Sequence, residues 1–145
     1  MNSKLLDATG QKTFAVILDK GDEVVAGLTA FATAQKLGAA HFTAIGAFSE
    51  VTLGYFDRGR KDYKKMPLKE QVEVLSLIGD IALDGEAPKV HAHVVVGLAD
   101  GAARGGHLLE ARVWPTLEVI LVESPRFLRK RHDPETGLAL IDPAG

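Results

Sequence analysis

The order of apolar and polar positions predicts one helix near the start of the chain and a series of strands after it. Residues Thr13 to Leu18 are rich in β-branched and aromatic side chains and end at a turn-forming cluster, which predicts a first strand. From Glu23 to Leu37 apolar residues recur every three or four positions, the spacing of one helix face. Asp22 is the predicted N-cap of this helix, and Gly38 is predicted to close it.

The remainder of the chain shows only strand patterns, and no further stretch has the helical period. The predicted strands are His41 to Phe48, Val51 to Phe56, Val72 to Leu83 with a bend near Gly79, Val90 to Leu98, His107 to Val113, Leu117 to Val122, and a short one at Leu138 to Ile141. One helix followed by consecutive strands indicates an α+β fold with an antiparallel or mixed sheet. Because one helix cannot cover so large a sheet, we expect oligomerisation to bury the remaining apolar strand faces.

Composition narrows the class of protein. A chain of 145 residues with 46% apolar and 25% charged residues predicts a single domain over 1–145, with a core at 11–141 and loose ends at 1–10 and 142–145. No signal or spanning segment is visible, so we expect a cytoplasmic protein with no membrane partner. The absence of Cys excludes disulfides, thiolate zinc sites and thiol catalysis. A net charge of -2 argues against a globally basic nucleic-acid binder.

Three of the five histidines lie in one predicted hairpin, in His91-Ala92-His93 and Gly105-Gly106-His107. Residues two apart in a strand point to the same face, so His91 and His93 project together. Asp100 and Gly101 form a turn-type pair midway between His93 and His107, and a hairpin folded there places these two residues opposite each other. Three imidazoles then share one patch.

Each histidine alone fits an ordinary half-exposed residue, but the three together favour a divalent metal site. Three neutral ligands leave a coordination position open, which suits water activation or polarisation of a carbonyl better than a structural role. Glu73, in the predicted strand Val72 to Leu83, is the candidate acid, base or ligand-orienting residue. A solvent-facing position explains Glu73 equally well. No cofactor-binding residues are predicted.

The segment from Asp57 to Glu70 is the most basic stretch and is predicted to be a polar loop. Its Arg58-Gly59-Arg60 is similar to the core of the AT-hook, although Lys61 replaces the proline of that motif. A solvated surface loop is the simpler explanation, and contact with DNA phosphates or a protein partner is the alternative. No P-loop, dinucleotide fingerprint or Gly-x-Ser-x-Gly motif is present, so nucleotide binding and serine hydrolysis have no support.

From Thr13 to about Leu140 the chain resembles the PPC domain, a family of plants and prokaryotes that also forms part of plant AT-hook nuclear proteins. The shared elements, in chain order, are Gly21-Asp22-Glu23, Ala44-Ile45-Gly46-Ala47, Gly54-Tyr55-Phe56-Asp57, Glu73 to Gly79, Pro88, His91-x-His93, Gly105-Gly106-His107, Thr116-x-Glu118-Val119, Arg129 and Thr136-Gly137-Leu138. The resemblance implies a strongly curved antiparallel sheet with one main helix, assembled as a homotrimer. Bacterial members are commonly labelled DNA-binding, but this chain lacks the AT-hook.

His91, His93 and His107 are also similar, in their order, to the zinc-binding segment of acetolactate decarboxylases. That likeness implies a divalent metal at these residues, with zinc as the expected ion. It does not extend to decarboxylation, because the acid-base carboxylate of those enzymes has no identified counterpart here. Cupins share His-x-His but have a Glu soon after it, where this chain has Val94 to Gly97.

Three functions follow as hypotheses. The first is a trimeric binding or assembly module with a three-histidine divalent metal site. The second is a small zinc-dependent enzyme acting on a carbonyl or ester compound, which would be the small-molecule partner. The third is DNA association through the basic segment Asp57 to Glu70.

Overall fold

A computed structural model describes residues 1–7 and 10–144, and within this part of the chain one helix accompanies a nine-stranded sheet. The elements are β1 (Asn2–Asp7), β2 (Thr13–Asp19), α1 (Val24–Gln35), β3 (Ala39–Asp57), β4 (Asp62–Leu68), β5 (Val72–Asp84), β6 (Ala87–Gly97), β7 (Ala103–Glu123), β8 (Arg129–His132) and β9 (Ala139–Asp142). The α+β class is therefore confirmed.

The central strands close on one another. β3 pairs with β5, β5 with β6, β6 with the start of β7, and β7 with β3, all antiparallel. A circuit of four strands requires strong curvature, and register shifts in β3 and β7 supply bends along these long strands. The strongly curved antiparallel sheet is thus also confirmed. A single parallel bridge, Leu83 to Arg129, joins the β8–β9 hairpin to β5.

Alternation along the strands separates an inner apolar face from an outer one. In β2, Phe14, Val16 and Leu18 are buried while their neighbours are partly exposed. Helix α1 packs against β6 and β7, and the Phe31 ring meets Phe14 edge-on with centroids 5.2 Å apart. The core thus lies between α1 and the inner face of the sheet. Polar side chains, the three histidines among them, lie on the outer face.

Both ends of the helix differ from the sequence prediction. Glu23, and not Asp22, is the N-cap, because its Oε2 accepts the N–H of Ala26 at 2.6 Å. The helix ends at Gln35, where Lys36 adopts the left-handed conformation with φ 55°. Gly38 instead makes room for the ring of Phe127, which occupies the space of a Cβ at this position.

Four strand predictions are also corrected. His41 to Phe48 and Val51 to Phe56 belong to one strand, β3, and the two predicted strands after His107 belong to β7, because bulges bend these strands without ending them. The predicted polar loop, Asp57 to Glu70, contains strand β4, which within the described residues pairs only with β3. Its lysines are exposed to solvent, as is common in an edge strand. The expected loose start of the chain contains β1, which pairs with β2. Leu138 to Ile141 largely coincides with β9.

In residues 1–7 and 10–144 no helix combines the length and the apolar character needed to cross a membrane.

Candidate metal centre

The β6–β7 hairpin places His93 directly opposite His107, as the sequence predicts. The connecting turn is set by Gly101, whose φ of 82° suits glycine, and by Asp100 Oδ1, which accepts the N–H of Ala102 at 2.9 Å. His91 lies two residues before His93 and faces the same way. The intervening Ala92 points into the core, where it is 3% exposed.

The three imidazoles form a nearly equilateral triangle. Ring centroids are 5.2 Å apart for His91 with His93, 5.2 Å for His91 with His107, and 5.3 Å for His93 with His107. One ring nitrogen from each residue lies within 4.8 Å of the other two. Tetrahedral ligands about 2.1 Å from zinc are roughly 3.4 Å apart, so closing the triangle requires shifts of about 1.5 Å at most. Side-chain rotation of partly exposed histidines accommodates such shifts, and the residues fit the ion.

A stacked tyrosine fixes the ring of His107. The Tyr63 ring lies 4.5 Å from it, centroid to centroid and nearly parallel, and the Tyr63 hydroxyl is 3.5 Å from His107 Nδ1. Gly54 permits this approach, because a Cβ there would lie 2.8 Å from Tyr63 Cδ1. With Nδ1 directed to the hydroxyl, Nε2 is the nitrogen left for a metal.

Asp80 performs a similar task for His91. The two residues are opposite each other in the β5–β6 ladder, and Asp80 Oδ2 lies 3.3 Å from His91 Nδ1. The other oxygen, Oδ1, is fully buried without a hydrogen-bond partner in the described part of the chain, and Lys130 Nζ lies 3.6 Å from it. The Lys130 side chain is only 4% exposed. A carboxylate and an ammonium thus stand immediately behind the histidines.

The surroundings of His93 and His107 favour the neutral imidazole. Burial lowers the pKa of His107 to about 4, and the neighbouring His91, His93 and Lys130 add to this effect. The pKa of His93 is also lowered, by burial first and then by His91. Burial raises the pKa of Asp80, but His91 and Lys130 outweigh it and the net shift is downward. The neutral imidazole, which burial favours at His93 and His107, is the form of histidine that binds a metal ion.

An open cavity of about 430 Å³ adjoins the cluster. His91, His107 and Tyr63 form one side, and the β8–β9 hairpin forms the other. Its remaining lining residues include Asp80, Lys89, Val90, Lys130, Leu138, Ala139, Leu140 and Ile141. The histidines are therefore accessible to a small molecule.

The sequence profile of the Plants and Prokaryotes Conserved (PCC) domain matches residues 6–125, most of the chain and all three histidines. The chain belongs to the PCC domain family. The bifunctional protein GlmU of Synechococcus sp. strain JA-3-3Ab is 33% identical over 129 residues, which are 87% of this chain and 20% of that protein. This PCC domain thus spans about a fifth of the length of that curated relative.

Solved structures share the whole fold. A plant- and prokaryote-conserved protein of Pyrococcus horikoshii is 30% identical with a TM-score of 0.86, covering 94% of this chain and 97% of that one. The metal-containing protein AF0104 of Archaeoglobus fulgidus is 35% identical with a TM-score of 0.83, covering 95% and 98%. A candidate DNA-binding protein of Bacteroides thetaiotaomicron is 26% identical with a TM-score of 0.86, covering 97% and 96%.

The acetolactate decarboxylase of Bacillus subtilis has a TM-score of 0.58 at 14% identity, covering 87% of this chain and 58% of that one. This likeness concerns the fold alone.

Glu73 is not brought to the PCC domain's histidine cluster. It is exposed and pairs with Gly97, whereas Ile78, five residues further along β5, pairs with His93. A rise of about 3.3 Å per residue separates the two positions by roughly 16 Å. Asp80 is the carboxylate at the cluster, and sequence reasoning missed it together with Tyr63 and Lys130. Asp80 lies two residues after Ile78 in β5 and pairs with His91, so the β5–β6 register would have identified it.

Proposed function

We propose that this PCC domain is a binding module that holds one divalent metal ion, zinc, through His91, His93 and His107. The observation that carries the proposal is the approach of three ring nitrogens to within 4.8 Å of one another. A bound ion with three neutral ligands keeps an open position and supplies Lewis-acid chemistry. The metal-containing relative from Archaeoglobus, at 35% identity, supports the same assignment.

Metal analysis of the purified protein tests this proposal. We expect about one zinc ion per chain after equilibration with zinc and gel filtration. His93→Ala should reduce the content at least tenfold, whereas His132→Ala, an exposed histidine of β8 outside the cluster, should leave it unchanged. Equal metal content in the wild type and His93→Ala would exclude the three-histidine site.

We further propose that the domain assembles as a homotrimer through an apolar strip on the outer face of the sheet. The strip consists of Ile45, Leu75, Ile78, Val95 and Ile120, which are 41% to 61% exposed. Ladder positions place Ile78 and Ile120 on either side of Thr43, so the strip runs across neighbouring strands. A contiguous apolar surface of this kind favours self-association.

Light scattering during gel filtration tests the assembly. The wild type should have three times the chain mass of 15.5 kDa. Ile78→Asp should shift the mass to that of one chain, and Tyr55→Asp, equally exposed but outside the strip, should not. A monomeric wild type at micromolar concentration contradicts this proposal and leaves the metal site standing.

Enzymatic activity is a second candidate function, favoured by the open cavity beside His91 and His107. A zinc-dependent esterase activity is the simplest form to test, with 4-nitrophenyl acetate as substrate. The zinc-loaded wild type should hydrolyse this ester faster than both the metal-free protein and His93→Ala. Equal rates in all three samples would remove the esterase hypothesis.

DNA association is a third candidate, favoured by the β3–β4 hairpin and by the candidate DNA-binding relative. Six basic residues of this segment are exposed and none makes an ion pair within residues 1–7 and 10–144: Arg58, Arg60, Lys61, Lys64, Lys65 and Lys69. Binding to duplex DNA should weaken steeply as salt is raised, and Lys64→Glu with Lys65→Glu should weaken it further. Absence of binding at low ionic strength would remove this hypothesis.

A further inference from the structure

The cavity beside the histidines combines a buried cation with an apolar wall. Lys130 lines it, and its side chain is 4% exposed although its charge demands a partner. Asp80 Oδ1 compensates the charge, but its 3.6 Å separation from Lys130 Nζ is longer than a hydrogen bond. An ammonium has three N–H donors, so donors are available to a ligand.

The cavity wall opposite the histidines is formed by the β9 strand and the residue before it. Leu140 and Ile141 are 46% and 39% exposed, which leaves apolar surface open to the cavity. Ile141 is directly opposite Lys130 in the β8–β9 ladder, so the two side chains project from the same face of the hairpin. An apolar surface is thus fixed immediately beside the cation.

The charge balance favours an anion. Lys130 and Asp80, 3.6 Å apart, offset each other's charge, and a divalent ion at the histidines would leave the site positive. We infer that this cavity binds a small carboxylate with an apolar group, the carboxylate at Lys130 and the apolar group against Leu140 and Ile141. This inference deepens the proposed function and rests on it for the metal's share of the charge.

The hairpin that would select the ligand lies outside the residues matched by the PCC profile, which end at 125. Lys130 and the apolar wall both come from residues after that point. The histidines and the selecting residues are therefore supplied by different parts of the chain.

Calorimetric titration of the full chain with 3-methylbutanoate and with 3-methylbutanamide tests the inference. The acid and the amide have the same apolar group and differ in charge. We expect the wild type to bind the acid at least about tenfold more tightly, the ratio that a charge-assisted hydrogen bond contributes. Lys130→Gln should reduce the ratio to near one. Lys12→Gln, which removes a lysine outside the cavity that is paired with Glu123 at 3.4 Å, should preserve it.

A second variant guards against misfolding of Lys130→Gln, which leaves Asp80 without its cation. Ile141→Asp changes a partly exposed position, and it should weaken binding of both compounds because both lose the apolar contact. The acid should be weakened more than the amide, because the new carboxylate repels it. Titration of both zinc-loaded and chelator-treated protein separates the two proposals. Loss of zinc binding overturns the metal centre, whereas equal affinity for acid and amide in the wild type overturns the carboxylate site.

Discussion

His93 and His107 occupy directly opposed positions of the β6–β7 ladder, and their ring centroids lie 5.3 Å apart. The two strands thus hold the proposed metal ligands as rigid elements, and His91 completes the set from the same face of β6. The cluster depends on the pairing of these strands, so metal binding and folding should be thermodynamically linked.

Zinc should stabilise the wild type through this linkage. At a free concentration a thousandfold above Kd, the free energy of unfolding should rise by about 4 kcal/mol, which raises Tm by roughly 10 °C for a chain of this size. Calorimetry with and without a chelator measures the shift. His107→Ala should abolish the zinc-dependent rise while its metal-free Tm stays near that of the wild type; a zinc shift of full size in this variant would contradict the assignment.

Asp80 and Tyr63 should tune metal affinity without binding the ion. Asp80→Asn removes the charge 3.3 Å from His91 Nδ1 and should weaken zinc binding about tenfold or more. Tyr63→Phe keeps the ring stacked on His107 and loses only a 3.5 Å contact, so its effect should be smaller. Competition with a chromophoric chelator measures both. Asp84→Asn is the matched control on β5, since Asp84 pairs with the exposed Lys89.

The metal-free protein should lose stability as the pH falls. The pKa of His107 is about 4 in the folded chain and about 6.5 in the unfolded one, so the unfolded state binds more protons between these values. The stability contribution is complete above pH 6.5 and decreases toward pH 4. Urea denaturation of chelator-treated protein at several pH values should show this slope, and His107→Gln should reduce it. An identical slope in the variant would show that other groups cause it.

Gly79→Ala should damage the fold and the metal centre together. A Cβ at this position would overlap the Phe42 ring and lie 2.6 Å from the backbone oxygen of His91. Overpacking of this kind costs about 1 to 3 kcal/mol. It would displace β6, which carries the proposed ligands His91 and His93. We expect a lower Tm and weaker zinc binding. Gly10→Ala, with no atom within 4 Å of the added Cβ, is the control and should change neither quantity.

Much of this architecture can be predicted from the sequence pattern, because these elements are determined by residues close together in the chain. Helix α1 and strand β2 follow from periodicity, and the His93–His107 pairing follows from a turn midway between them. Strand β4 does not, because its lysines conceal the strand pattern and its stability comes from pairing with β3. The length of β7 is hidden in the same way by residues that bend it without breaking the ladder.

The residues around the histidines could not be predicted, because they come from distant parts of the chain. Tyr63 reaches His107 over Gly54, Asp80 faces His91 through the β5–β6 register, and Lys130 arrives on a hairpin after the main sheet. Glu73 was the more visible carboxylate in sequence, since it interrupts an apolar run. Its distance from the histidines depends on a register that the sequence pattern alone does not define.

Side chains alternate along β6, so one face of the strand serves packing and the other serves the histidine cluster. Ala92, Val94 and Val96 face the core, and His91 and His93 face outward, so a mutation on one face hardly constrains the other. The outer residues can therefore be exchanged for other ligand sets while the framework stays folded. This strand offers protein engineers a place to install a metal site of chosen chemistry by changing side chains alone.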